Sequence, residues 1–271
     1  ELNRAVAEIP KETGQTARYV VADLTRPGDV ERLMKETIGA LGGLYTVVNN
    51  SGGPPAGTFD QFDDSAWQSA FELNLLSYVR VIRAALPALR QGGGGRIVNF
   101  TSSSVKSPIE NLILSNTFRT GVLGLSKTLA GELGGDGILV NVLGPGRVQT
   151  DRITQLDAGR AAKAGSSIEQ VRATTSKTIP VGRYGEPAEF ARVAVFLGSP
   201  ANTYVTGQSL LVDGGMVRAY CALHLNDDQA TTLRLYRRHP HSGDALSRRR
   251  KPGPRLAGPQ HPVQQAGGCG W

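Results

Sequence analysis

The segment RIVNFTS, residues 96–102, is a short apolar run that closes on two hydroxyl side chains. Four other segments have the same form: ARYVVAD (17–23), LYTVVNN (44–50), ILVNVLG (138–144) and SLLVDGG (209–215). Each is rich in β-branched residues and ends in polar or glycine-containing sequence, which is typical of strands buried on both faces of a sheet. The sequence therefore predicts five such strands.

Segments with a helical spacing of apolar residues separate these runs. One covers the first ten residues, and the others begin at Pro27, at Asp63, near residue 114 and at Glu186. Asp64 or Ser65 is expected to cap the helix that follows Asp63, and Pro187 suits the first turn of the last helix. Strands that alternate with helices imply right-handed crossovers. The predicted fold class is therefore α/β, with a doubly wound parallel sheet of the Rossmann type flanked by helices.

Charge and composition divide the chain near residue 220. Between residues 221 and 271, eight Lys and Arg stand against three Asp and account for five of the seven net positive charges. All four His and both Cys also lie in this stretch, which has no apolar period. Residues 1–220 are predicted to form the folded domain, and residues 221–271 a basic Pro/Gly/Arg-rich tail that is disordered or extraneous. The tail has few aromatic side chains for bases to stack on, so no nucleic-acid partner is expected.

Several classes of protein are excluded by what the sequence lacks. No run approaches the roughly 18 apolar residues that a membrane span needs, and nothing resembles a signal peptide. Two distant Cys residues give neither a disulfide framework nor the spacing of a metal site. We therefore expect a cytoplasmic protein without a membrane partner and without a metal ion.

Polar and glycine residues follow four of the predicted strands: Asp23, then Asn49–Gly52, then Thr101–Ser104, then Gly144–Thr150. Ligands bind beyond the carboxyl ends of the strands in such sheets. Each of these residues alone is better explained as an ordinary turn residue. Together they favour a flat, polar cofactor that approaches the backbone. The predicted cofactor contacts at these ends are Asp23, Asn50, Ser51, Gly52, Pro145, Gly146 and Thr150.

Residues 152–180 interrupt the alternation with a polar, weakly helical insertion after the fourth strand. An insertion at the ligand edge of a sheet is a candidate substrate lid. A solvated helical hairpin on the surface is an equally good interpretation of the same sequence.

Several stretches resemble the short-chain dehydrogenase/reductase family, and in particular reductases similar to 3-oxoacyl-acyl-carrier-protein reductase. VVNNSGG (47–53) resembles the family's NNAG motif, and FELNLLS (71–77) resembles the helix that supplies an asparagine, here Asn74. GGRIVNFTSSS (94–104) is similar to the strand that ends in the catalytic serine, here Ser102. NVLGPGRVQT (141–150) resembles the proline–glycine motif, and residues 182–215 resemble the C-terminal segment almost throughout. The resemblance covers roughly residues 1–217.

This resemblance implies an oxidoreductase that uses NAD or NADP and acts on a small-molecule carbonyl compound or secondary alcohol. It also implies a homodimer or homotetramer of the full-length parent protein. Family members begin with a strand, a TGxxxGxG turn and a helix that would precede Glu1. We therefore expect this chain to lack the first βαβ segment of the fold, together with the glycine turn that holds the diphosphate and the residue that selects NAD or NADP.

In the family, a tyrosine gives or takes the proton, and a lysine four residues later lowers the pKa of that tyrosine and holds the ribose. The usual spacing of about thirteen residues from Ser102 places these positions at Ser115 and Arg119, which share one face of a helix. A serine hydroxyl is much less acidic than a phenol, whose free pKa is about 10, so Ser115 is not expected to replace the general acid. Arg119 is expected to hold the ribose and to supply a fixed charge, but it cannot shuttle a proton.

Other interpretations of this site stay open. The proton donor could instead be Lys106, Tyr184 or a bound water. A different interpretation is that Ser115 and Arg119 are solvated residues on a helix face that has lost its function. The predicted catalytic set is Asn74, Ser102, Ser115 and Arg119. The predicted function is that of an NAD(P)-dependent, 3-oxoacyl-reductase-like enzyme with an atypical catalytic set. The alternative is a non-catalytic homologue that binds a nucleotide or a partner protein.

Overall fold

The computed structural model describes residues 2–219. The helices and strands of this part are α1 (Leu2–Thr13), α2 (Pro27–Leu41), β1 (Thr46–Asn49), α3 (Asp64–Phe71), α4 (Ser77–Gln91), β2 (Gly95–Phe100), α5 (Ile113–Leu133), β3 (Ile138–Pro145), α6 (Asp151–Ala164), α7 (Ile168–Thr178), α8 (Pro187–Gly198) and β4 (Ser209–Val212). A π-helical segment, Glu72–Leu76, joins α3 to α4. The predicted tail, residues 221–271, lies outside the described residues.

The four strands form a parallel sheet in the order β1, β2, β3, β4. In β2, Ile97 lies between Val47 of β1 and Val140 of β3, and it is completely buried. Helices α2, α4 and α5 pack on one face of the sheet, and α8 packs on the other. Because apolar side chains cover both faces, the sequences of the central strands are almost continuously apolar. The prediction of a doubly wound α/β fold is confirmed.

The prediction of a strand at residues 17–23 is wrong. This segment joins no ladder among the described residues, and within that part of the chain β1 is one of the two outer strands of the sheet. A strand forms only where a neighbouring strand accepts and donates its main-chain hydrogen bonds. Without one, Tyr19 and Val21 remain 45% and 67% exposed. Asp23 consequently does not stand at the end of a sheet strand.

Two further sequence predictions concern helix ends. Asp63, rather than Asp64 or Ser65, caps α3, because its carboxylate accepts a hydrogen bond of 2.9 Å from the amide of Ala66. Pro187 occupies the first turn of α8 as predicted. The insertion at 152–180 is helical, as α6 and α7, and no helix within residues 2–219 is long and apolar enough to cross a membrane.

The first turn of α8 carries an ion pair that makes a testable contribution to acid stability. Arg183 donates hydrogen bonds of 2.7 and 2.8 Å to the two carboxylate oxygens of Glu189. The Arg183 guanidinium, followed by the amide of Glu186, lowers the pKa of Glu189 from 4.5 to about 2. Because the folded pKa lies below the unfolded one, this contribution is present above pH 4.5 and is lost as the pH falls towards 2.

We therefore expect Glu189→Gln to lower the urea midpoint of unfolding at pH 6, and the difference from the wild type to shrink as the pH drops below 4.5. Glu132→Gln, at an exposed position of α5, is the control and should show no such trend. A difference for Glu189→Gln that stays constant from pH 6 to pH 3 would contradict the role of the ion pair.

Candidate active site

The carboxyl ends of β1, β2 and β3 meet at one edge of the sheet because the strands are parallel. Three segments begin there, Asn50–Gly52 after β1, Thr101–Ser104 after β2 and Pro145–Thr150 at the end of β3. These segments contain the predicted site residues Asn50, Ser51, Gly52, Ser102, Pro145, Gly146 and Thr150. Sheets of this kind bind ligands at this edge.

Asn74 reaches this edge from the π-helical segment. Its side chain is completely buried, and its Nδ2 donates hydrogen bonds to the Ser51 hydroxyl (3.1 Å) and the Gly52 carbonyl (2.5 Å). Its Oδ1 is also buried, but it accepts no hydrogen bond from any described residue. A buried acceptor without a donor costs about 1–3 kcal/mol. Asn74 Oδ1 therefore marks a place for a water molecule or for a donor group of a ligand.

Arg119 is buried beneath the same loop, with 6% of its surface exposed. Its Nη1 donates to the Phe100 carbonyl (2.9 Å), and its Nη2 donates to the carbonyls of Ser51 and Gly52 (both 3.4 Å). No carboxylate of residues 2–219 forms an ion pair with it. The interpretation of Arg119 as a solvated residue is therefore wrong, because its charge is buried and held by main-chain oxygens. Its predicted contact with the ribose stays a prediction.

Tyr78 belongs to the same hydrogen-bond network, although no sequence pattern had pointed to it. It is 1% exposed, and its hydroxyl donates to the Phe100 carbonyl (2.8 Å). The hydroxyl also accepts from Nη1 of Arg119 (3.2 Å) and from the amide of Ser51 (3.3 Å). Tyr78 stands four residues after Asn74 in the chain. Because residues four apart lie on one side of a helix, that spacing was the available signal.

Among the described residues, Ser102 and Ser115 form no hydrogen bond with this network. The Ser102 hydroxyl accepts a hydrogen bond of 3.1 Å from the amide of Ser104, which fixes the turn after β2. Ser115 lies one turn before Arg119 on α5, is half-buried, and forms no hydrogen bond through its hydroxyl among the described residues. Helix α5 packs against the turn at 103–105, which follows Ser102 in the chain.

The two alternative proton donors are placed differently. Lys106 is exposed at the end of the turn after β2. Tyr184 is buried, its hydroxyl lies 3.4 Å from the Asp157 carboxylate of α6, and burial raises the pKa of the phenol above its ordinary value. Neither side chain forms a hydrogen bond with Asn74 or Arg119. Both remain alternatives without support from the described contacts.

The α6–α7 insertion is attached to the loop that follows β1. Arg152, in the first turn of α6, donates a hydrogen bond of 3.0 Å to the Pro54 carbonyl. Thr150 caps α6 by accepting a hydrogen bond from the amide of Ile153 (3.4 Å). The insertion therefore lies next to the ligand edge, as a lid requires, but its movement stays a prediction.

Glycine geometry shows which parts of the edge can accept a cofactor. A Cβ atom added at Gly52 would meet no atom within 4 Å, and the φ angle there is not in the left-handed region. Packing within the described residues thus does not require glycine at this position, and the backbone lies open to a flat ring. At Gly146, by contrast, a Cβ would lie 2.5 Å from the Cβ of Asp213, so that glycine is explained by packing.

These residues fit one half of a dinucleotide. A nicotinamide and its ribose would be suited by three features of the site: the open backbone at Gly52, the unpaired Oδ1 of Asn74 and the buried charge of Arg119. Within residues 2–219, no glycine-rich turn at a helix N-terminus lies at this edge to hold a diphosphate. The carboxylate of Asp23 accepts hydrogen bonds from the nearby Thr25, and these bonds hold the pKa of the carboxyl below its ordinary value.

A separate cavity lies outside this site. A cavity of ≈ 210 Å³ lies between the segment after β3, the 181–186 segment, α8 and the end of β4, and it contains none of the residues of the hydrogen-bond network. In the part of the chain that the structure describes, no group of three or more His, Cys, Asp or Glu side chains could hold a metal ion.

The fold and this edge define an α/β protein of the dinucleotide-dependent oxidoreductase class. A family model described as "Enoyl-(Acyl carrier protein) reductase" matches residues 1–217. The chain is 30% identical over 205 residues to 3-oxoacyl-[acyl-carrier-protein] reductase of Vibrio cholerae, covering 75% of this chain and 79% of that protein. It therefore belongs to the short-chain dehydrogenase/reductase family, whose members are NAD(P)-dependent oxidoreductases.

Solved structures agree with this assignment. L-sorbose reductase from Gluconobacter frateurii, complexed with NADPH and L-sorbose, superposes with a TM-score of 0.76 at 28% identity, over 81% of this chain and 84% of that one. An NADPH-bound short-chain oxidoreductase from Pseudomonas aeruginosa, described as containing an atypical catalytic center, superposes with a TM-score of 0.72 at 28% identity, over the same shares of the two chains. The predicted family and fold class are confirmed.

Proposed function

We propose that this protein reduces a small carbonyl compound, or oxidises the corresponding secondary alcohol, with NADH or NADPH, and that it does so with an atypical catalytic set. The observation that carries the proposal is the buried network in which Asn74, Tyr78 and Arg119 fix the backbone of Ser51–Gly52 at the ligand edge. Relatives with a 3-oxoacyl substrate and with a ketose substrate support the substrate class.

The residues of this chain have separate tasks in such a reaction. A bound nicotinamide supplies or accepts the hydride. Asn74 holds the Gly52 carbonyl and offers its free Oδ1 to a water molecule. The Ser102 hydroxyl stands at the end of β2, where it can donate to a substrate oxygen. Arg119 adds a permanent positive charge, which favours the negative charge that develops on that oxygen in the transition state.

Proton delivery is the step that this set performs least well. Ser115 offers only an aliphatic hydroxyl, and the terminal nitrogens of Arg119 are bonded to main-chain oxygens. Water held near Asn74 is the remaining donor in this arrangement. We therefore expect slow turnover that does not depend on the ionisation of a tyrosine–lysine pair.

An apolar surface supports assembly into a homodimer or homotetramer. Val195 and Phe196 of α8 are 67% and 43% exposed, and Leu210 of the neighbouring outer strand β4 is 37% exposed. Exposed apolar side chains, including one on a strand that is an outer strand among the described residues, favour contact with a second copy of the chain. Sedimentation of the purified protein would measure the oligomeric state.

The function is tested by following NADH and NADPH absorbance with a panel that includes a 3-oxoacyl thioester, a ketose and a simple cyclic ketone. We expect substrate-dependent oxidation of one cofactor. Fluorescence titration with each cofactor measures binding in the same preparation. Absence of both binding and turnover would refute the proposal.

A second candidate function is a non-catalytic homologue that binds a nucleotide. The observation in its favour is that the site lacks a phenol at position 115 and that Arg119 is bonded to the backbone. Cofactor binding without turnover on any carbonyl of the panel would support this alternative.

A further inference from the structure

We propose that Tyr78 is a positioning residue of the cofactor site, which acts by fixing the Ser51–Gly52 backbone together with Arg119. The inference rests on the proposed function, since it assigns a cofactor to that stretch of backbone. No family motif quoted above contains Tyr78, and its position was not among the predicted site residues.

The first step of the argument is the use of the Tyr78 hydroxyl. A phenol has one hydrogen to donate and an oxygen that accepts. Here the hydrogen goes to the Phe100 carbonyl, and the oxygen accepts from Ser51 and Arg119. A phenylalanine would fill the same volume, so the hydroxyl is what joins the ends of β1 and β2 to α5. Because the hydrogen already has a main-chain acceptor, Tyr78 acts as a support and not as the proton donor.

The second step concerns the charge of Arg119. Its guanidinium is buried without a carboxylate partner among residues 2–219, and its terminal nitrogens bond only to neutral oxygens. A donor on a buried charged group is expensive to leave unpaired. The Tyr78 oxygen supplies one of the four acceptors, so its loss affects Arg119 and the carbonyls that Arg119 holds.

The third step is the effect on the loop. The Ser51 amide is held by Tyr78, the Ser51 carbonyl by Arg119, and the Gly52 carbonyl by Asn74 and Arg119. Three successive peptide groups, from Asn50 to Gly53, are thus each held at one atom by side chains from three helical segments. This is the backbone that lies open at Gly52, and a ring that packs on it requires those peptide planes to keep their orientation.

The test uses Tyr78→Phe, with Tyr184→Phe as the matched control because both are buried tyrosines with a bonded hydroxyl. Amide hydrogen exchange at Ser51 should be about tenfold faster in Tyr78→Phe only, as expected for the loss of one hydrogen bond. Titration with NADH and NADPH should show a dissociation constant about tenfold higher, with a rise in the cofactor KM that exceeds any fall in kcat.

The possible results separate this inference from the proposed function. Unchanged Ser51 exchange, or faster exchange with unchanged cofactor affinity, would show that Tyr78 only fills the core. Failure of the wild-type protein to bind either cofactor would instead overturn the proposed function, while the exchange measurement would still decide the contact between Tyr78 and Ser51. Should Tyr78→Phe not fold, Arg119→Lys weakens the hold on the Ser51 and Gly52 carbonyls of the same backbone and should raise the cofactor dissociation constant in the same way, whereas an unchanged affinity would contradict the inference.

Discussion

Ser115→Tyr is expected to accelerate carbonyl reduction about a hundredfold, because general acid catalysis by a positioned side chain is worth 10²–10⁴ in rate. The phenol would stand one helical turn before Arg119, whose buried positive charge favours release of its proton. Ser115 is half-buried and its hydroxyl holds no described partner, so the substitution breaks no hydrogen bond of the described residues.

The measurement is kcat for the best substrate of the carbonyl panel, with Ser115→Phe as the control. Phenylalanine has nearly the same size but no proton to give. We expect Ser115→Phe to stay at or below the wild-type rate. Equal rates for the tyrosine and phenylalanine variants would show that position 115 does not face the reacting carbonyl. Activity that appears only in Ser115→Tyr would support a non-catalytic wild-type protein.

Arg119→Lys is expected to destabilise the protein by about 2–3 kcal/mol although it keeps the charge, because a buried charged donor that loses its acceptors is costly. The guanidinium reaches Phe100, Ser51 and Gly52 from two separate nitrogens. A lysine ammonium is a single point and cannot span these oxygens. The lysine that is usual in the family should therefore be the poorer residue in this chain.

Urea unfolding measures this effect directly. Arg83→Lys is the matched control, since Arg83 is exposed on α4 and its replacement should change the free energy of unfolding little. A change for Arg119→Lys within 0.5 kcal/mol of that control would mean that the described hydrogen bonds of Arg119 do not contribute to stability. Combining Arg119→Lys with Ser115→Tyr should then show whether the family's pair functions here.

The sequence was sufficient for the layers of the fold. Apolar runs such as residues 96–102 and 138–144 are buried on both faces, so their composition alone marked them as central strands. Residues 17–23 have a similar composition but no neighbour to pair with in the described structure. Strand formation depends on a partner that local sequence does not reveal, and that is why this prediction failed.

The candidate site was predicted only in part, and for a similar reason. The register from Ser102 led to Arg119, but it could not show that the guanidinium bonds to carbonyls that follow two strand ends. Tyr78 was not predicted because no motif of the sequence includes position 78. Contacts with main-chain oxygens leave no trace in residue identity, so they had to be observed.

The shared acceptor at Gly52 links the evolutionary fates of Asn74 and Arg119. Both side chains donate to that one carbonyl oxygen, so either can still hold it after the other is replaced. Replacing the first of these two donors therefore leaves the carbonyl bonded, whereas replacing the second as well does not, which is a form of epistasis. As far as the Gly52 carbonyl is concerned, substitution at either position is buffered while the other donor persists, so the pair constrains which later changes this lineage can accept.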